Sequence, residues 1–506
     1  MEVLYSGIPG LDDIFLGGVP RDNCILLEGP AGSGKTTFGL QFIVSGATKF
    51  NEKGIIVTLE ERPKMLYRDA VNYGWDLKKL ESEGSIHVIQ TSPKALLDML
   101  SDPESHLNSI YEKLGIKRIF IDSITQFKRI SETANDYREM VNKVIYAVSA
   151  RESATILTRE LLLSPQENLS SVEDYVVDTV IRLSYEPSGD RKRERFMEIL
   201  KSRGQDYISG KHSFIFDTSG INIFPSCYLK NYDLSDIPKG MIKRLSTGIS
   251  GLDRMLGGGI QEGKTALIAG SSGTGKKTLG IQFLNEGFEE GEKGLFISLH
   301  NRPEEIINSA TSYSIDLDHA LREGTFEILY RSPMDLIVDE LGYSIKKICR
   351  EMEVKRVVLD SLNDLIDAIK DENYLKNFIF FLVDFFSTNR ITALFTLELK
   401  EIFENSASGH REMFSLIPII ISFRYVELES EIRRALSVIK VGGSDHDKGI
   451  HEYRINNGGI EVMTKFEGRE GVMSGSPKKV DMQLKEILAN MSLYEKALRK
   501  EKITEE

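Results

Sequence analysis

Residues 29–36 read GPAGSGKT, a spacing suited to holding a polyphosphate. Across Gly29, Pro30, Ala31, Gly32, Ser33 and Gly34, the glycines let main-chain N–H groups curl around phosphate oxygens. Lys35 reaches the terminal phosphates, the Thr36 hydroxyl is placed to ligate Mg²⁺, and Thr37 completes the cradle. The pattern returns at residues 270–277 as GSSGTGKK. Gly270, Ser271, Ser272, Gly273, Thr274, Gly275 and Lys276 repeat the cradle, but Lys277 stands where the metal-binding hydroxyl stood. The chain reads as a duplicated nucleotide-binding protein with one intact phosphate loop and one altered one, taking a nucleoside polyphosphate and Mg²⁺ as its expected ligands.

Hydrolysis of a bound nucleotide needs more than a cradle: a metal, a group to activate water, and positive charge for the transition state. Asp122, closing the apolar run that starts at Ile119, is the expected partner of Thr36 at Mg²⁺, directly or through water. Glu60 and Glu61 follow the apolar run from Gly54 to Leu59, beside the cradle, where a carboxylate can orient and deprotonate the attacking water. Glu60 is the expected base and Glu61 its support. Adjacent carboxylates near a polyphosphate also repel each other, so one of them reads equally as a solvated strand end.

These side chains require strands that end at one edge of a sheet. Each loop is preceded by an apolar strand, Cys24 to Glu28 and Thr265 to Ala269, and followed by a helix bearing Phe38-Gly-Leu-Gln-Phe42 or Leu279-Gly-Ile-Gln-Phe283. A second strand starts at Gly54 and again at Gly294; a third ends in Asp122 and again in Asp360. Even the opening segments repeat, from Gly7 to Asp12 and from Gly248 to Asp253. Short apolar runs without polar alternation, separated by helices, indicate a mainly parallel sheet covered on both faces. Each half is therefore expected to be a doubly wound α/β domain with its ligand at the carboxyl ends of the strands. The expected organisation is a domain over 1–225, a linker over 226–240 within the segment Pro225 to Lys243, a second domain over 241–465, and a polar tail over 466–506. The last stretch, 480–500, has apolar residues at roughly helical spacing, and reads either as a solvated tail or as an amphipathic helix that docks.

With 506 residues, 41% hydrophobic and 28% charged, the composition is that of a soluble globular protein. No apolar run approaches the roughly 20 residues that span a bilayer, and the N-terminal residues lack a basic stretch followed by an apolar core. The expected location is the cytoplasm, without membrane attachment. Cys24, Cys227 and Cys349 have no metal-ligand spacing and are expected to be reduced thiols. A formal charge of −12 disfavours nucleic acid as a partner. The basic run from Arg191 to Arg195 is read as a solvated or subunit-contacting strand, because the sequence shows no aromatic platform with it.

The paired loops, the repeated opening segments and the two strand-end aspartates together resemble the KaiC-like family of double-domain ATPases, within the RecA-like group. The resemblance covers roughly residues 1 to 465. It implies two tandem RecA-like domains in a two-tiered hexameric ring of this chain, with ATP between neighbouring subunits. TLEERP, containing Glu60 and Glu61, matches the family's paired glutamates. The segment Leu200-Lys-Ser-Arg-Gly204 matches the family's Lys-x-Arg-Gly, so Lys201 and Arg203 are expected to complete the neighbour's site, which would make activity depend on assembly. Tyr207 and Ser209 depart from the histidine and lysine usual there.

In the second half three components change. Lys277 replaces the hydroxyl, His300 and Asn301 replace Glu60 and Glu61, and Gly442 replaces the arginine, while Lys440 remains. His446 and Lys448, read as two apart on a strand, match the family's histidine and lysine near the neighbour's nucleotide. Two outcomes stay open for this half: nucleotide bound without turnover, or a purely structural domain. The acceptor pair that some family members phosphorylate falls on Phe414 and Ser415, so no two-site autophosphorylation cycle is expected. The leading function is an ATPase ring that signals to or scaffolds protein partners. The alternatives are a recombinase or helicase-type protein acting on DNA, and a non-hydrolysing ATP-binding scaffold.

Overall fold

The computed structural model describes residues 2–161, 176–188, 192–226, 243–399, 415–428, 430–466, 469–470 and 478–479. Arg191, Cys227, Phe414, the linker beyond Ser226 and the tail segment 480–500 lie outside them. The chain divides into two compact units, Met1–Tyr228 and Leu229–Glu506.

In the first unit nine strands form one sheet: β1 (Cys24–Gly29), β2 (Gly54–Thr58), β3 (Ile86–Gln90), β4 (Arg118–Asp122), β5 (Ala154–Glu160), β6 (Thr179–Ser188), β7 (Lys192–Ser202), β8 (Lys211–Asp217) and β9 (Gly220–Phe224). Their order is β9-β8-β7-β6-β1-β5-β4-β2-β3. From β3 across to β6 every pairing is parallel, and β6 to β9 run on as an antiparallel meander. The mainly parallel sheet is thus present, with an antiparallel edge. Alternation along β1 sends Ile25 and Leu27 to one face, against Phe38 and Phe42 of helix α1 (Lys35–Lys49). Cys24 and Leu26 go to the other, with Val141, Val144 and Ile145 of helix α2 (Ala134–Ser149). Both faces are covered, which is why the strands read as unbroken apolar runs.

One buried cation ties the opening segment to this layer. Arg118, fully buried, donates to the carbonyls of Tyr5, Ser6 and Phe42 and to Glu52 at 2.6–2.8 Å, with its guanidinium 4.5 Å from the centre of the Phe42 ring. Gly46 makes the room, since a Cβ there would stand 2.4 Å from Arg118 Cδ. Within the opening segment, Asp12 Oδ1 accepts the Ser6 N–H at 2.8 Å.

The second unit repeats the plan with β10 (Thr265–Gly270), β11 (Gly294–Ser298), β12 (Phe326–Tyr330), β13 (Arg356–Asp360), β14 (Thr392–Glu398), β15 (Ile419–Leu428), β16 (Glu431–Val441), β17 (Ile450–Asn456) and β18 (Gly459–Lys465), ordered β12-β11-β13-β14-β10-β15-β16-β17-β18. Arg356 is its buried arginine, donating to the carbonyls of Ser246 and Phe283 and to Glu290 and Glu292. No helix among the described residues is long and apolar enough to cross a membrane.

Candidate functional site

The carboxyl end of β1 feeds the first phosphate loop, and α1 begins at Lys35 directly behind it. Gly34 holds φ +103°, a left-handed conformation, and a Cβ there would lie 2.4 Å from Phe216 Cζ. Only glycine meets both demands, and the result is a cradle of N–H groups aimed along the positive end of the helix. Lys35 Nζ lies over the loop, donating to the carbonyls of Gly29 at 2.8 Å and Pro30 at 2.9 Å. Burial weakens its hold on its proton, against the pull of Glu160 and Asp122.

Asp122 ends β4 beside this loop and both of its oxygens are engaged. Oδ2 accepts the Thr36 hydroxyl at 2.7 Å, and Oδ1 accepts the Thr158 hydroxyl from the neighbouring β5. A hydroxyl and a carboxylate side by side form the hard oxygen donor set that suits Mg²⁺, so Thr36 and Asp122 fit that ion. The Leu59 N–H donates to the Asp122 carbonyl at 2.7 Å and steers the chain after β2 toward the same edge. Glu60 and Glu61 follow there, both exposed. Glu60 Oε2 accepts from Gln126 Nε2 at 2.5 Å and Oε1 lies 3.7 Å from Arg129. Burial raises the Glu61 pKa, and the Asp122, Asp69 and Glu60 carboxylates raise it further against the opposing Arg68. The structure thus gathers Lys35, Thr36, Glu60, Glu61 and Asp122 at one edge.

Several participants escaped sequence reading. Thr158, on β5, has a counterpart in Thr396, on β14, so aligning the repeats on their fifth strand would have found it. Gln126 and Arg129 sit on a short 3-10 turn, Ile124–Arg129, with no repeat signal. Beneath the loop, the buried Glu28 carboxylate is clamped by Arg159 and Arg182, the latter at 2.6–2.7 Å. The strand register gives the second unit Ala269, Leu397 and Ser422 in those places. The expectation of a basic run without aromatics is corrected. Arg195 stacks 4.4 Å from the Tyr185 ring centre and 5.0 Å from that of Phe216, the ring that packs on Gly34. The arginine occupies those ring faces, and separation in sequence hid the cluster.

In the second unit Gly273 and Gly275 keep left-handed φ values of +74° and +95°, and Lys276 Nζ donates to the Gly270 and Ser271 carbonyls, each at 2.8 Å. The cradle is preserved. A cavity of about 880 Å³ opens on it, lined among others by Lys276, Lys277, Asn301, Asp360 and Arg434. The metal set is not preserved. Lys277 Nζ is bonded to Asn301 Oδ1 and lies 4.0 Å from Asp360 Oδ2, and an ammonium has no lone pair to offer a cation. These residues do not fit Mg²⁺. His300, in the place of Glu60, lies 3.8 Å from Asp364 and is largely exposed.

A family model described as ATPase: KaiC matches residues 4–228 and again residues 245–467. The chain belongs to the KaiC family of ATPases. It is 31% identical over 512 residues to the circadian clock oscillator protein KaiC of Parathermosynechococcus lividus, covering 98% of this chain and 92% of that protein. To the protein of the same name from Thermostichus vulcanus it is 30% identical over 501 residues, with 96% and 93% covered. To circadian clock oscillator protein KaiC 1 of Synechocystis sp. it is 29% identical over 507 residues, with 97% and 95% covered.

The residues that the KaiC resemblance directs at a neighbour lie away from the loops of their own units. Lys201 pairs with Val180, itself level with Leu26, and the Arg203 N–H donates to the Asp178 carbonyl, level with Cys24. Lys201 therefore stands level with the middle of β1 and Arg203 at its amino end, opposite the loop. Lys201 Nζ donates to the Val177 carbonyl at 2.6 Å. Lys440 pairs with Ile420, level with Leu267, and its Nζ donates to the Ser415 and Ile417 carbonyls at 3.2 and 2.9 Å. His446 and Lys448 correct one expectation. They lie in the irregular segment between β16 and β17 rather than on a strand, because Asp447 ties that segment down through the Met255 carbonyl, Gly449 and Lys465.

Proposed function

We propose that the first unit hydrolyses ATP at interfaces between subunits of a homohexameric ring in the cytoplasm, and that the second unit holds nucleotide without turning it over. The observation that carries this reading is the asymmetry of two edges built on the same strand order. One pairs Thr36 with Asp122 at 2.7 Å and sets Glu60 and Glu61 beside them; the other has Lys277, His300 and Asn301. Thr36 and Asp122 would hold Mg²⁺, and the ion would supply positive charge against the charge that develops on the phosphate oxygens. The remaining work falls to the chain. Loop N–H groups and Lys35 fix the phosphates. Glu60, oriented by Gln126 and Arg129, positions the attacking water and takes its proton, with Glu61 beside it. Lys201 and Arg203 reach the adjacent subunit's nucleotide and steady the charge on the transferring phosphoryl group. The location of Arg203 at the amino end of β1 supports a role in trans.

Turnover in one tier then sets the conformation of a ring that signals to, or scaffolds, protein partners. No two-site autophosphorylation cycle is expected, because the second unit lacks the carboxylates that would activate an acceptor. Phosphate release tests the assignment, with particle mass recorded with and without ATP. The wild type should release phosphate and assemble with nucleotide, and Glu60→Gln with Glu61→Gln should assemble but release almost none. Equal release by both would refute it.

A further inference from the structure

We infer that the second phosphate loop binds a nucleoside polyphosphate free of divalent metal, with the Lys277 ammonium standing in the metal's place. This rests on the proposal that the second unit retains nucleotide. The two units differ in what meets the strand-end aspartate beside the loop. In the first, Asp122 Oδ2 receives the Thr36 hydroxyl; in the second, the corresponding Asp360 Oδ2 faces Lys277 Nζ. Thr396 holds the other Asp360 oxygen at 2.5 Å, as Thr158 holds that of Asp122, so the carboxylate keeps its orientation.

Asn301 completes the substitution. Its Nδ2 donates to Glu305 at 2.6 Å, which turns Oδ1 toward Lys277. The ammonium is thereby held by one acceptor, Asn301 Oδ1, with the Asp360 carboxylate 4.0 Å away as its counter-charge at the aspartate edge of the loop. Mg²⁺ requires near-octahedral oxygen ligation, whereas this point offers three N–H donors and a positive charge that repels a second cation. A phosphate oxygen accepts from an ammonium directly. With the cradle glycines, Lys276 and the N-terminus of the helix Lys276–Glu289 in place, and a cavity of about 880 Å³ above them, the site retains what a polyphosphate needs apart from the metal.

Charge also accounts for silence at this site. A lysine supplies one positive charge on a flexible stem where a divalent metal would supply two, so the phosphate is held but not activated.

The test measures binding of radiolabelled ATP to the full chain in magnesium and in excess EDTA. In the wild type, chelation should lower bound ATP from two per chain to one. In Lys35→Ala, which disables the first loop, chelation should change affinity less than about twofold; adding Lys277→Thr should make it fall about tenfold or more in EDTA. Because threonine is the residue of the intact loop, that variant keeps a sequence compatible with the fold. Adding Lys276→Ala instead should abolish the remaining binding. ATP bound by Lys35→Ala in magnesium but released by EDTA overturns the metal-free inference and leaves nucleotide retention standing. No ATP at the second loop of the wild type in either buffer refutes retention itself.

Discussion

Arg203 offers the sharpest test of how the active edge is completed. Its N–H is bonded to Asp178, which is bonded in turn to Cys24, at the opposite end of β1 from Gly29. At about 3.3 Å per residue along β1 and about 4.8 Å for each strand crossed, its backbone lies roughly 19 Å from the loop of its own subunit. That is beyond the reach of an arginine side chain, so the guanidinium cannot serve the loop of its own subunit. Arg203→Ala alone should lower phosphate release on the order of 10³-fold, the scale on which arginines supplied in trans act in related phosphoryl transfer. Glu60→Gln with Glu61→Gln should be equally inactive for a different reason. Rings co-assembled from equal amounts of the two variants, however, contain interfaces where an intact carboxylate pair faces an intact Arg203. Random mixing makes that about a quarter of interfaces, so release should recover to about a quarter of the wild-type rate. The assay is phosphate release by co-expressed, doubly tagged rings. Mixed rings no more active than either parent would refute the trans role, whatever the single variants do.

Three further outcomes follow from the geometry. Because the Glu61 pKa is raised, the carboxylate gains its proton as pH falls while ordinary carboxylates, near 4.3, are still ionised. Phosphate release should therefore decline on its acid side above that range, and Glu61→Gln should remove that limb in a pH–rate profile. Arg118→Ala strips three main-chain carbonyls and the half-buried Glu52 of their donor, and should lower unfolding free energy by about 3–5 kcal/mol in denaturant titration of the first unit's transition. Gly34→Ala should weaken ATP binding by about 1–3 kcal/mol from its left-handed φ alone, and pairing it with Phe216→Ala, which removes the collision, should restore only part of the loss in a binding titration.

The chain's linear order determined a good deal. Two glycine loops with a strand before and a helix after each fix two parallel-sheet domains, because phosphate cradles need glycine at set spacings and buried strands need unbroken apolar runs. The aspartates 122 and 360 were legible for the same reason: a charge that ends an apolar run marks a strand's carboxyl end. Substitution of Thr36 by Lys277 between the repeats was equally open to view. What the sequence left undecided depended on residues distant in sequence meeting in space. The clamp on Glu28 draws Arg159 and Arg182 from different strands, and Gln126 reaches Glu60 from a turn that carries no pattern of its own. His446 and Lys448 alternate as a strand would, yet the bonds of Asp447 hold them in a loop. Only the tertiary register set Arg203 at the end of β1 remote from its own loop, because which edge a residue occupies depends on strand direction and pairing, and neither is written in local composition.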